Sequence, residues 1–439
     1  MKPVILKRLY LPRPYLAVCF ALTLVGVVGC ETEKARWTFA RALNLSESGQ
    51  IEEAIELMQV AMEQSPDDAE IKMSLAKLLA ENGQGELGIG LCEVRLEDHP
   101  GDVSARRVRS TCLQYLGRFD ESLAAYKHCL SGHVSRSPVE RNNLAYFRAL
   151  AGKELDMAAS DIQAAIKKVE SQPWGSIYLV PLEVRTVIAA GLIARRIDQH
   201  QAVLTILSNE IGRYERRIAI QNLGVRALVT ARSKQEFPLQ KKAEDEILNV
   251  RAVRERQKNS LALMLATRAL MLEDLGKTDR ADSDRWEVEY LGFEFNKLTK
   301  QLPNDKACLF ALQSGSLYLD TRGFVSGRLD WLGEPGPSDE SGPVKTQTSR
   351  SSYAVALRDL DFAVLAAQIR QSALESSIYN TPELSAREIR YLKKEANRMT
   401  AVLLYHRMEV HLRARKQDAA DAEQLRIEKL GFQPGASLF

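Results

Sequence analysis

Six histidines, at positions 99, 128, 133, 200, 406 and 411, are the first side chains to test for chemistry, and no two stand four apart as a helical metal pair would. His406 and His411 are five apart, which places them on diverging faces of any helix. Besides Cys30, the cysteines beyond the amino-terminal segment are Cys92, Cys112, Cys129 and Cys308, without a Cys-x-x-Cys spacing, so no metal set is written there. Acidic pairs such as Glu52-Glu53 and Asp67-Asp68 fall at turns and helix starts, where carboxylates favour exposed amides. No nucleophile elbow, phosphate-cradling loop or dinucleotide fingerprint occurs. The sequence therefore predicts neither an enzyme nor a bound cofactor or metal.

One cysteine has a different context. Lys2, Lys7, Arg8 and Arg13 precede an apolar run from Leu16 to Val28, and no acid occurs before Cys30, which is the pattern of a secretory signal. The run closes as Val27-Val28-Gly29-Cys30, which looks like a bacterial lipobox, with Val27 and Val28 in place of the commoner Leu and Ala or Ser. The resemblance implies cleavage after Gly29, removing the leader 1–29, and a lipid on Cys30. The apolar run is too short to span a bilayer, which takes roughly 20 residues. Residues 30–34 would form a tether, and the four residues from Glu31 to Lys34 reach about 13 Å when extended. An exported body leaves a disulfide among Cys92, Cys112 and Cys129 open, although their places on inward helix faces favour buried thiols.

Charge and composition agree with a tethered helical body. Without the four leader cations, 56 Lys and Arg stand against 57 Asp and Glu, so no nucleic-acid partner is implied. A charged fraction of 27% with 7% aromatics fits a long helical chain.

The elements that would position a site recur at a constant offset of 34. From residue 35, Ala42, Gly49, Ala54, Met58, Ala61 and Pro66 give small, turn, small, large, small and helix-ending residues. Leu75, Ala76, Leu79, Gly83 and Pro100 repeat the pattern, with Gly88, Cys92 and Arg95 replacing the usual Ala, aromatic and Ala. A third unit carries Leu113, Gly117, Phe119, Leu123 and Tyr126, with Ser122 in a small-residue position. A fourth, Asn142 to Gly152, leads to Ala158, Ala159, Ile162 and Ala165. Residues 35–168 resemble the tetratricopeptide repeat family on these landmarks. The resemblance implies an all-α, right-handed superhelical solenoid of stacked antiparallel helix hairpins, because one hairpin cannot bury its own apolar face.

Beyond Lys168 the register loosens into degenerate helical hairpins over 169–300, with Ala190, Asp198 and Ala202 marking one of them. A second repeat appears at an offset of 139, pairing residues 262–293 with 401–432. It matches Arg268 with Arg407 and Leu291-Gly292-Phe293 with Leu430-Gly431-Phe432, which reads as a Schellman helix stop in each copy. In the carboxyl-terminal hairpins, 301–439, the helix around Leu319–Phe324 should pair with Ala356–Val364 across an inserted disordered loop, 334–352, rich in Pro, Gly, Ser and Thr.

In such a solenoid the first helices of successive hairpins form a concave groove. The predicted lining is Arg36, Phe39, Leu43, Met73, Lys77, Arg107, Thr111, Asn142 and Tyr146. That mixture suits an extended peptide or a partner helix, with Arg and Asn holding backbone or carboxylate oxygens. The function expected is a lipid-anchored protein-protein interaction scaffold in a bacterial cell envelope. The alternatives are a small-molecule or carbohydrate binding protein in a closed superhelix, and an enzyme in 176–300 whose mark would be a pocket of several ionisable groups.

Overall fold

The structure, a computed structural model, describes residues 33–46, 50–130, 137–172, 174, 180–232, 237–329, 347–376 and 386–432. Every regular element among them is an α-helix. No described helix is long and apolar enough to cross a membrane. The leader 1–29, Cys30 and the turn residue Gly49 lie outside the described residues. Contacts divide the chain into two units, residues 1–131 with 385–392 and 439, and residues 132–384 with 393–438.

The first unit holds α1 (residues 33–46), α2 (Ile51–Gln64), α3 (Ala69–Glu81), α4 (Gly85–Asp98), α5 (Val103–Tyr115) and α6 (Phe119–Cys129). Glu33 and Lys34, expected in the tether, are already helical. Asp68 and Asp102 cap α3 and α5, accepting bonds from Glu70 and Ile71 and from Ala105. Gly83 and Gly117, at φ +79° and +71°, make the left-handed turns into α4 and α6.

Helices within a hairpin touch through the small residues. The pairs Ala42/Ala54, Ala76/Gly88 and Ser110/Ser122 stand at one register position in successive hairpins, and all six side chains or glycines are buried. Gly88 replaces Ala because a Cβ there would lie 2.5 Å from the Ala76 carbonyl oxygen. Ser110 and Ser122 instead exchange bonds, each hydroxyl donating to the other's carbonyl at 2.8 Å. The substituted Arg95 also makes a contact of its own: its Nε donates to the Asp102 carboxylate at 2.8 Å, tying α4 to the cap of α5.

The second unit holds α7 (Pro138–Ala151), α8 (Leu155–Glu170), α9 (Leu182–Arg196), α10 (His200–Arg232), α11 (Phe237–Asp274), α12 (Thr278–Tyr290), the short α13 (Phe295–Thr299), α14 (Asp305–Arg328), α15 (Gln347–Glu375), α16 (Ala386–Arg413) from residue 393 on, and α17 (Gln417–Lys429). Helix α14 lies at its centre, packed on α15, α9, α8 and α7. A capping box of Ser137 and Glu140 starts α7, and Gly152 at φ +64° ends it.

Residues 169–300 do form hairpins, α9 with α10 and α11 with α12. Asp198 and Gly276 make their turns at φ +55° and +68°. However, α10 and α11 run 33 and 38 residues, whereas α2 to α6 run 11 to 14. Both Schellman stops form: Phe293 donates to Val288 and Phe432 to Ile427, around Gly292 and Gly431 at φ +92° and +88°.

Helix α14 pairs with α15 as the sequence predicts, and Gly323 allows it, since a Cβ there would come within 2.8 Å of the Ala356 carbonyl. The inserted loop needs correction at its end. Helix α15 begins at Gln347, so residues 347–352 are helical, and 334–346 lie outside the described residues.

Candidate functional site

The predicted groove residues divide between the two units and between surface and core. Phe39 and Met73 are buried, at 6% and 5% exposure, because α1 and α3 turn them onto the apolar contacts of their own unit. Arg36 is exposed but engaged, with Nη2 2.9 Å from Asp68 and Nη1 donating to Glu70 at 2.6 Å. Leu43, Lys77 and Thr111 share one register position on α1, α3 and α5, and all reach solvent. Arg107 is exposed on α5 one turn before Thr111, whose hydroxyl donates to the Arg107 carbonyl at 3.2 Å. Helices α3 and α5 lie side by side, so this row crosses adjacent first helices.

Asn142 and Tyr146 belong to the second unit, where Asn142 is buried and Tyr146 half-buried. Asn142 is 2% exposed, with Oδ1 lacking a partner. Tyr146 stands at one end of a chain of polar contacts that the sequence does not foreshadow. Its hydroxyl is 3.3 Å from His406 Nε2, and His406 Nδ1 is 2.8 Å from Asp320. Phe324 stacks on the His406 ring at 4.1 Å, and the Arg328 guanidinium covers Phe324 at 4.7 Å. These residues come from α7, α14 and α16, so no local spacing could announce them.

A second assembly was also invisible in sequence. Arg322 of α14 forks onto Asp359 of α15 at 2.6 and 2.7 Å and lies 3.6 Å from Glu183 of α9. Arg358 donates to Glu183 at 3.0 Å and to Glu210 of α10 at 3.2 Å, and Arg213 stands 3.7 Å from Glu210. Three arginines thus face three carboxylates across four helices. Burial pushes the Glu183 carboxyl up, but Arg322 and Arg358 pull harder and leave it at about 2. A carboxylate held that firmly is a poor proton carrier near neutral pH. The ionisable cluster expected of an enzyme in 176–300 is present in part, but its geometry is that of a balanced clamp.

Arg185 makes a similar internal bond set, donating to the carbonyls of Val169, Glu170, Gln172 and Val180. The cysteines at 92, 112, 129 and 308 are all buried, and none of the four forms a disulfide. The Cys92 thiol is pushed up by its hydrogen bond with Cys112 and by burial, and burial with Asp305 pushes Cys308 up to about 12. Neither has the low-pKa, exposed setting of a nucleophile. Among the described residues no group of three His, Cys, Asp or Glu could hold a metal ion.

Residues 45–112 match the family model described as tetratricopeptide repeat, which spans α2 to α5 and both turns Gly83 and Pro100. No curated protein matches the chain. A solved tetratricopeptide repeat protein from Parabacteroides merdae ATCC 43184 is 13% identical at a TM-score of 0.27, covering 63% of this chain and 99% of its own. Naa15/Naa10 bound to HypK-THB is 13% identical at 0.27, over 90% of this chain and 63% of that one, so this chain spans under two thirds of its length. Yeast Tom70 is 11% identical at 0.25, over 91% and 92%.

Proposed function

We propose that this chain, whose residues 45–112 are tetratricopeptide repeats, is a scaffold that recruits a protein partner at a bacterial cell-envelope membrane, to which a lipid on Cys30 tethers it. The row Leu43, Lys77 and Thr111, with Arg107 beside it, carries the reading. An apolar, a cationic and a hydroxyl side chain recur at one register position on successive first helices. An extended peptide or partner helix laid across them meets a new side chain at each hairpin, with Lys77 and Arg107 taking carboxylates or backbone carbonyls. The lipid reading rests on the leader and the Val27-Val28-Gly29-Cys30 run alone.

Two experiments test the two halves. Expressed in a bacterium with its leader, the protein should carry a fatty-acyl mass on Cys30 and partition with membranes, and Cys30→Ser should abolish both. A wild-type product without the acyl mass ends the tether reading. The wild-type body should capture a defined partner set from envelope extracts, and Lys77→Glu/Arg107→Glu should lose it. Retention of the full set by that variant removes the row as the binding surface.

A further inference from the structure

Helix α12 carries Trp286 and Tyr290 one turn apart, their rings stacked at 5.4 Å and 14°, and leaves them 65% and 76% exposed. Aromatic side chains of this size concentrate binding energy when a partner covers them, and a preformed stack loses little freedom on docking. The surrounding charge selects the partner. Thr278–Tyr290 holds five acids and two arginines, a net −3 in 13 residues, whereas the whole chain is +3. Arg285 is already held by Asp282 and Glu273 at 2.7 Å each, and Asp284 holds Arg268. Glu289, one turn after Trp286, is exposed, and Glu287 lies one turn before Tyr290. The Glu287 carboxyl is pushed up, first by burial and then by the neighbouring Glu215 and Asp284 carboxylates.

We infer that the exposed face of α12 is a docking site for a basic segment of a partner protein, whose Arg or Lys side chains lie over Trp286 and Tyr290 and pair with Glu287 and Glu289. Indole and phenol faces attract a cation through their quadrupole, and adjacent carboxylates add to the same field. A neutral sugar would use the rings but not the charge. The site lies in the second unit and does not depend on the row of Leu43, Lys77 and Thr111.

The test is fluorescence anisotropy of the full chain with a labelled nona-arginine peptide. Binding is expected at 50 mM NaCl and should weaken severalfold at 300 mM. Trp286→Ala/Tyr290→Ala should weaken it at least tenfold, and Glu287→Gln/Glu289→Gln should weaken it and flatten the salt dependence. Trp37→Ala, at an exposed tryptophan of the first unit, should leave it unchanged. The altered side chains reach solvent, and unchanged helical circular dichroism identifies folded variants. Peptide binding that survives loss of both rings overturns the inference, as does absence of peptide binding. Chitohexaose binding that needs the rings, in place of peptide binding, also overturns it.

Discussion

Arg322→Met breaks the buried clamp of the second unit at its most connected member. The Arg322 side chain is 13% exposed, and it forks onto Asp359, whose side chain is wholly buried. Removing the guanidinium leaves the Asp359 carboxyl in the core without its two bonds, and leaves Glu183 with Arg358 at 3.0 Å. Breaking one partner out of a buried pair costs about 3–5 kcal/mol, because the remaining charge stays desolvated. With a urea slope of about 3 kcal/mol/M, the midpoint should fall by roughly 1–1.7 M. Arg322→Met/Asp359→Leu removes both charges and should recover most of that loss. The assay is urea unfolding read from Trp174, which is buried in this unit with Nε1 donating to the Ala307 carbonyl at 3.4 Å, in a background with Trp37, Trp286 and Trp331 replaced by Phe. A shift of the single variant under about 0.3 M, or a double variant no better than the single, would refute the argument that the charge left behind sets the cost.

Glu183 should make the second unit acid-sensitive. Its folded pKa of about 2 lies below the ordinary 4.5, so its stabilisation is fully present above pH 4.5 and disappears as pH falls towards 2. The shift corresponds to about 3 kcal/mol at neutral pH, with about 2 lost by pH 3. Asp359, pushed up by burial, contributes in the opposite sense, so the measurement is the difference between wild type and Glu183→Gln in urea midpoints at pH 7 and pH 3. Gly88→Ala should destabilise the first unit by about 1–3 kcal/mol, since the nearest atom is a backbone oxygen that cannot move aside cheaply. On the same helix Gly90→Ala meets nothing within 4 Å and should stabilise by about 0.5–1 kcal/mol, a contrast that thermal denaturation can read. Arg185→Met removes the donor to the carbonyls of Glu170, Gln172 and Val180 and should cost on the order of 3 kcal/mol, read as a lowered urea midpoint.

What was legible in the sequence was whatever recurs at a fixed local spacing. Gly83 and Gly117 announced their turns, and Gly292 and Gly431 their helix stops, because a left-handed backbone position favours one residue type. The pairing of α14 with α15 was also readable, from the likeness of the two segments to the first and second helices of a repeat, although an insertion separates them. Burial on a first helix was not. Phe39, Met73 and Arg107 share one register position, yet the first two are buried and the third is exposed. The side chain decides there: an aromatic or a thioether folds onto the neighbouring hairpin, and a guanidinium stays in water. The contact of Tyr146 with His406 was not legible either, since the two residues are 260 apart in sequence.

The two units hold their hairpins together by different chemistry, and this explains why the repeat register is plain in one and faint in the other. In the first unit, close helix contact rests on Ala42/Ala54, Ala76/Gly88 and Ser110/Ser122, and a residue of the wrong size there is felt at once. In the second, four hairpins are also crossed by an arginine from the first helix to an acid on the second. These are Arg148 to Asp161, Arg268 to Asp284, Arg322 to Asp359 and Arg407 to Glu423. A guanidinium on a long stem reaches its carboxylate across varied helix separations, so the intervening segment can change length while the contact persists. The arginine and its acid are 13 residues apart in the first of these hairpins, 16 in two and 37 in the fourth. Only the copies offset by 139 kept a common length, and there the acid changed from Asp284 to Glu423 without losing the arginine. A unit clamped by arginines can absorb the long α10 and α11 and the α14–α15 insertion, whereas one closed by small residues keeps its period.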